Sequence, residues 1–127
     1  MKESLQPGLE ATHRHTVTAD MSPEHLPAKV LSTPAMIGLI ERSCLVTAQP
    51  HLDAGETTVG THVDVSHSGP AFPGEEVTIR VRLREVRKRR LDFAVEVSSP
   101  RGVISAGRHE RAVIDLARFG GATRPGC

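Results

Sequence analysis

The stretch "STPAMIGLIERSCLV", Ser32 to Val46, decides the fold. Ser32 or Thr33 can cap a helix, and Pro34 suits its first turn because proline's missing N–H has no intrahelical partner there. Met36, Ile37, Leu39, Ile40, Cys44, Leu45 and Val46 then cover nearly the whole circumference, and a helix apolar all round is normally buried. One carboxylate interrupts it. Glu41 lies one turn after Ile37 and one turn before Leu45, so it flanks the core rather than a polar face. Burying an ionised carboxylate is expensive unless it is paired or hydrogen-bonded, so Glu41 needs a partner.

On either side of this helix the pattern turns to strands. "EATHRHTVTAD" (10–20) predicts a first strand with weak alternation, and Pro50 and Gly55 in "QPHLDAGE" stop the helix. In "TTVGTHVDVSH" (57–67) two-residue alternation places Thr57, Val59, Thr61, Val63, Val65 and His67 on one face. "EVTIRVRLREV" (76–86) turns Val77, Ile79, Val81 and Leu83 inward and Arg80, Arg82 and Arg84 outward. After a turn at "RKRR" (87–90), Leu91, Phe93, Val95 and Val97 form the next core face, with Asp92 and Glu96 placed to pair with the arginines across the strands. "VISAGRHERAVIDL" (103–116) predicts a last long strand, irregular near Gly107. Strand, buried helix, then four antiparallel strands is an α+β arrangement in hotdog order, with a sheet wrapped around one helix. Its free edge and incompletely covered helix predict a homodimer.

The totals bound the rest. At 127 residues the chain predicts one domain, residues 1–127, with loose ends at 1–8 and 120–127. Sixteen basic and 15 acidic residues give a net charge of +1, so no global field favours nucleic acid. With three Phe and no Trp or Tyr, the chain also lacks base-stacking aromatics. The polar N-terminal segment and the absence of a run near the roughly 20 apolar residues of a membrane span predict a protein without a membrane partner. Cys44 and Cys127 are not expected to pair, which predicts a reducing, cytoplasmic setting. His13 and His15 share a face of the first strand, but no CxxC or HExxH pattern accompanies them, so no metal site and no cofactor are expected.

Three polar residues fall where the core is expected. His67 ends the inward face of its strand and points toward the helix that carries Glu41, where carboxylate and imidazole would ease each other's burial. Thr33 adds a hydroxyl at the helix start, and the N–H groups of Ala35 and Met36 could polarise a carbonyl oxygen with help from the helix dipole. Hydroxyl, imidazole, carboxylate and an oxyanion site form a set suited to acyl transfer. Each member also has a plainer reading: Thr33 as an N-cap, His67 as an ordinary strand-end residue, Glu41 turned to solvent beside Arg42. Eight residues of straight helix separate Thr33 from Glu41 by about 12 Å, so the two cannot touch. Either His67 lies between them, or Thr33 leaves the helix axis, or one member comes from a partner subunit.

At these residues the sequence resembles the fluoroacetyl-CoA thioesterase family of hotdog enzymes, from about Gly8 to Phe119. The segments that carry the resemblance are "MIGLIERSC", "ETTVGTHVDVSHSGPAFPG", "RRLDFAVEV" and "GRHERAVIDLARF". The resemblance implies hydrolysis of a short or medium acyl-CoA thioester, with coenzyme A entering only as part of the substrate. It places a Thr–Glu–His triad on Thr33, Glu41 and His67, and an acyl-pocket glycine and arginine on Gly60 and Arg111. The family's aromatic lid before the threonine is missing, since "MSPEHLPAKVLST" (21–33) holds no Phe and the first Phe is Phe72. Leu26, Val30 and Leu31 stand in its place as expected pocket lining, which argues against fluoroacetyl selectivity. The basic "RKRR" turn is a candidate contact for CoA phosphates, or simply a solvated hairpin tip.

Three rivals share the fold. A non-catalytic hotdog dimer would bind acyl-CoA without turning it over. A thioesterase acting on acyl groups held by a carrier protein would use the same chemistry with a different donor. A dehydratase or hydratase would need a differently placed His and Asp.

Overall fold

The computed structural model describes residues 1–121. Strand β1 (Glu10–Thr16) leads through an irregular segment, with one 3₁₀ turn at Ala19–Met21, into helix α1 (Thr33–Ala48). Strands β2 (Glu56–Val65), β3 (Glu76–Arg87), β4 (Arg90–Ser99) and β5 (Gly102–Asp115) follow, and α2 (Leu116–Gly121) closes the described chain. The five strands form one antiparallel sheet in the order β1-β3-β4-β5-β2. α1 packs against β1, β2, β3 and β4, so the sheet embraces the helix as the sequence predicts.

β3 and β4 take the expected phase because each is a central strand with one buried face. Val77, Ile79, Val81, Leu83, Leu91, Phe93, Val95 and Val97 are all buried. On the outer face Arg80 pairs with Glu96 at 3.9 Å, and Arg84 and Arg108 reach Asp92 at 3.1 and 3.5 Å. The hairpin between these strands turns at Lys88 and Arg89, with Lys88 in the left-handed region at φ 57°.

Four expectations need correction. First, α1 is not buried all round: Met36, Ile40, Ser43, Cys44, Thr47 and Ala48 form one buried stripe, while Ile37, Leu39, Leu45 and Val46 are only half-buried. Second, β2 does not keep a single face. Its register against β5 shifts between Gly60 and His62, so Thr58 and Gly60 face the helix before the bulge, and Val63, opposite His109, shares the inner face after it. Third, the segment 1–8 is anchored. Leu5 is buried, the Lys2 N–H donates to His51 O, and the Gly8 N–H donates to Leu83 O. Fourth, Gly120 and Gly121 end α2, while residues 122–127, including Cys127 and its expected lack of a disulfide partner, lie outside the described residues. The irregularity at Gly107 is a close approach: a Cβ there would stand 2.0 Å from the Asp64 carbonyl oxygen.

Candidate active site

Two polar constellations occupy the inner side of the sheet. The first joins the start of α1 to the segment after β2. Ser32 is the N-cap, its Oγ accepting from the Ala35 N–H at 3.2 Å, which leaves the hydroxyl of Thr33, the first helical residue, free for another partner. That partner is His67, whose Nδ1 lies 2.6 Å from Thr33 Oγ1. Neighbouring anchors fix both residues. The Ser66 and Ser68 N–H groups donate to Ala106 O and Ile104 O, so His67 stands between two ties to β5. The Leu31 N–H donates to Ala71 O and the Ser32 N–H to Met21 O, which seats the helix start.

The second constellation is built around Arg111. Its guanidinium is almost fully buried and is held at three points: Nε donates to Thr58 Oγ1 at 2.8 Å, Nη2 to Thr58 O at 3.0 Å, and Nη1 to His109 Nε2 at 3.0 Å. Nη1 also lies 3.6 Å from Glu41 Oε2. Burial lowers the guanidinium's pKa, and the neighbouring Cys44 and Glu41 work in the opposite direction. Glu41 therefore has the partner its position requires, although its side chain keeps 43% of its exposure in the single chain and is not buried as expected. Gly60, directly opposite Arg111 in the ladder, completes the arrangement: a Cβ there would stand 2.6 Å from Glu41 Oε2 and 3.4 Å from Arg111 Nη1.

The sequence-predicted residues thus fall into two groups. Thr33 and His67 meet, and Glu41, Arg111 and Gly60 meet. Among the described residues no hydrogen bond or ion pair joins Glu41 to Thr33 or His67. The Ala35 and Met36 N–H groups are a further correction, because both serve the helix cap, donating to Ser32 Oγ and Ser32 O, and Met36 is a fully buried core residue. In the segment before α1, Leu31 belongs to the core, Val30 is half-buried and Leu26 is exposed. Two recesses among the described residues lie away from both groups: one of about 510 Å³ runs over the outer sheet face beside Arg80, Arg82 and Glu96, and one of about 240 Å³ lies between α1 and β1 beside His13 and Arg42.

Sequence reasoning missed Thr58 and His109. His109 is fully buried, with Nδ1 2.8 Å from His62 O. The signal that could have found it is phase, since His109 and Arg111 stand two and one steps of strand alternation before the buried Val113.

Comparison with known proteins points one way. The family described as fluoroacetyl-CoA-specific thioesterase matches residues 11–117. The fluoroacetyl-CoA thioesterase of Streptantibioticus cattleyicolor is 34% identical, over 98% of this chain and 96% of its own. A solved structure of the fluoroacetyl-CoA thioesterase FlK superposes with a TM-score of 0.90 at 32% identity, covering 97% of this chain and 98% of that one. A variant of that enzyme, solved with fluoroacetate and CoA, gives 0.86 at 34% identity over 91% and 99% of the two chains. A thioesterase superfamily member from Thermus thermophilus gives 0.83 at 26% identity over 91% and 88%. The expected α+β hotdog fold is thereby established.

Proposed function

The chain belongs to the fluoroacetyl-CoA-specific thioesterase family, and from that premise we propose that the Thr33–His67 pair and the Glu41–Arg111 cluster are two halves of one hydrolytic site. The protein is a thioester hydrolase that acts on acyl-CoA. The observation that carries the site assignment is the Glu41 carboxylate facing a fixed Arg111 guanidinium across the gap that Gly60 leaves open.

Hydrolysis adds a water oxygen to the acyl carbon, breaks the C–S bond and delivers a proton to the departing sulfur. Glu41 either takes the proton from the attacking water or attacks first and is regenerated by water. His67, oriented by Thr33, carries the proton to the thiolate. Arg111 has N–H donors left over from its three fixed bonds to stabilise the negative charge that develops on the thioester oxygen.

The separation of the two halves along one helix, about 12 Å by helical rise, supports a homodimer in which one protomer's Glu41 cluster meets the partner's Thr33 and His67. β2 has a strand neighbour on one side only, and the half-buried Ile37, Leu39, Leu45 and Val46 leave α1 apolar surface to cover. Each chain contributes one catalytic domain. A buried free Cys44 suits a cytoplasmic setting, and no helix among the described residues is long and apolar enough to cross a membrane.

The acyl group is short or medium, and fluoroacetyl selectivity is not expected, because Leu26 and Val30 stand where the aromatic lid is missing. The hairpin that carries Lys88 and Arg90 borders a recess of about 390 Å³ on the outer side of the sheet, since Arg90 pairs with Ala112 while the neighbouring pair Leu91 and Arg111 faces inward. CoA as the acyl donor rests on the family, and the four consecutive basic residues Arg87 to Arg90 are the candidate contact for its phosphates.

The test is thiol release from a panel of acyl-CoAs by wild type, Glu41→Gln and His67→Ala. One acyl class should be hydrolysed, and each substitution should slow it by about 100- to 10,000-fold. Wild-type rates in both variants would remove the site assignment, and tight binding of acyl-CoA without turnover would make the protein a binding module.

A further inference from the structure

We propose that His109 is a positioning residue of this site, acting as a neutral acceptor that aims Arg111 at Glu41. The proposal rests on the reading of Glu41 and Arg111 as site residues and adds a part to it.

Donor and acceptor chemistry fixes the state of the ring. Arginine offers only N–H donors, so at the 3.0 Å contact with Arg111 Nη1 the His109 Nε2 must accept. Nδ1 then carries the proton and donates it to His62 O at 2.8 Å. A doubly protonated ring would set an N–H against the guanidinium. The fully buried position points the same way, since burial lowers the pKa of an imidazole.

Geometry gives this bond its consequence. Thr58 holds Nε and Nη2, one edge of the guanidinium, by two bonds. Nη1 is the atom that faces Glu41, and its remaining bond is the one to His109. Without that bond the plane can pivot about the Thr58 edge and carry Nη1 away from the carboxylate. His109 is itself tied to β2 just beyond the Gly60–His62 register shift, so the bulge sets the position of the ring.

Two substitutions separate the roles of the two ring nitrogens. His109→Gln keeps an acceptor at the Nε2 position and gives up the tie to His62. His109→Asn keeps a donor at the Nδ1 position and gives up the acceptor for Arg111. Steady-state thiol release should show kcat near wild type for the Gln variant and about 100-fold lower for the Asn variant, the scale of an ångström-sized misplacement of a catalytic group. Thermal melts run alongside should not follow this order. Equal losses in both variants would make His109 a structural tie to β2, and wild-type kcat in the Asn variant would make it irrelevant; either result overturns the proposal. If the Asn variant does not fold, the Gln variant still decides, because a folded Gln variant with a large loss of kcat contradicts the acceptor role. Glu41→Gln and Arg111→Ala are assayed in parallel. If both of those retain activity, the underlying site reading falls. If both lose activity while His109→Asn does not, only the present inference falls.

Discussion

Gly60 holds open the space that Glu41 occupies: a methyl group at position 60 would lie 2.6 Å from Glu41 Oε2 and 3.2 Å from His109 Cε1. The nearest atom is the end of a flexible side chain, so the chain can accept the methyl by swinging the carboxylate aside. Gly60→Ala should therefore fold with nearly unchanged thermal stability and lose about 100-fold in kcat, because Glu41 no longer faces Arg111. Differential scanning and thiol release on the same preparation check this. A large loss of stability with normal turnover per folded enzyme would show that Gly60 serves the bulge rather than the carboxylate.

Ser32 and Thr33 divide two duties that one residue often combines. Ser32 Oγ caps α1, and Thr33 Oγ1 meets His67. Ser32→Ala should cost about 1 kcal/mol of stability and leave kcat alone. Thr33→Ala should leave stability alone and lower kcat. Urea unfolding and kinetics on the pair would refute the division if the two effects appeared together in either variant.

Part of this was legible in the sequence and part was not, for physical reasons. β3 and β4 read correctly because a strand with one buried face must alternate, and Val77 to Leu83 and Leu91 to Val97 do so without interruption. β2 reads wrongly at its start, where Thr58 and Gly60 rather than Thr57 and Val59 face inward, and correctly from Val63 on, because one extra residue between Gly60 and His62 exchanges the two faces and nothing in "GTHV" announces it. The inner position of Arg111 came from a family resemblance, and His109 was passed over, because a basic pair on a strand looks like a solvated face until Val113 fixes the phase. Glu41 was recognised as anomalous, but its partner lies 70 residues away in β5, beyond the reach of local pattern.

If the two halves of the site meet across a dimer, inactive variants should rescue each other. Glu41→Gln and His67→Ala, mixed under conditions that exchange subunits, should recover about a quarter of wild-type activity: half the dimers are mixed, and reciprocal pairing leaves each of those one intact site of two. No recovery, with exchange confirmed by mass spectrometry, would place the whole site within one chain.

Cys44 lies in the buried stripe of α1 next to the Arg111 cluster, and burial pushes its thiol pKa up to about 12, against a smaller downward pull from Arg111. At neutral pH it is a thiol, and a thiol is a poor nucleophile. In a Cys127→Ser background the native protein should resist thiol-specific labelling and react only on unfolding. Rapid labelling of the native protein with loss of activity would bring Cys44 into the site chemistry.

His109 should also leave its mark on stability as the pH changes. Burial is the main cause holding its pKa below the ordinary 6.5, the bond to His62 O opposes it, and the facing charges are Arg111, Glu41 and Glu110. As the pH falls through 6.5 the unfolded chain takes up this proton before the folded one does. The stability that depends on the neutral ring is thus fully present above 6.5 and is lost on the way down to the folded value. His109→Gln removes this one titration and leaves the other six histidines in place. Urea unfolding of wild type and His109→Gln across this range should therefore show the stability difference shifting against wild type as the pH is lowered. A difference that stays constant with pH would mean that His109 takes up its proton equally well folded and unfolded, and the neutral acceptor facing Arg111 would have to be abandoned.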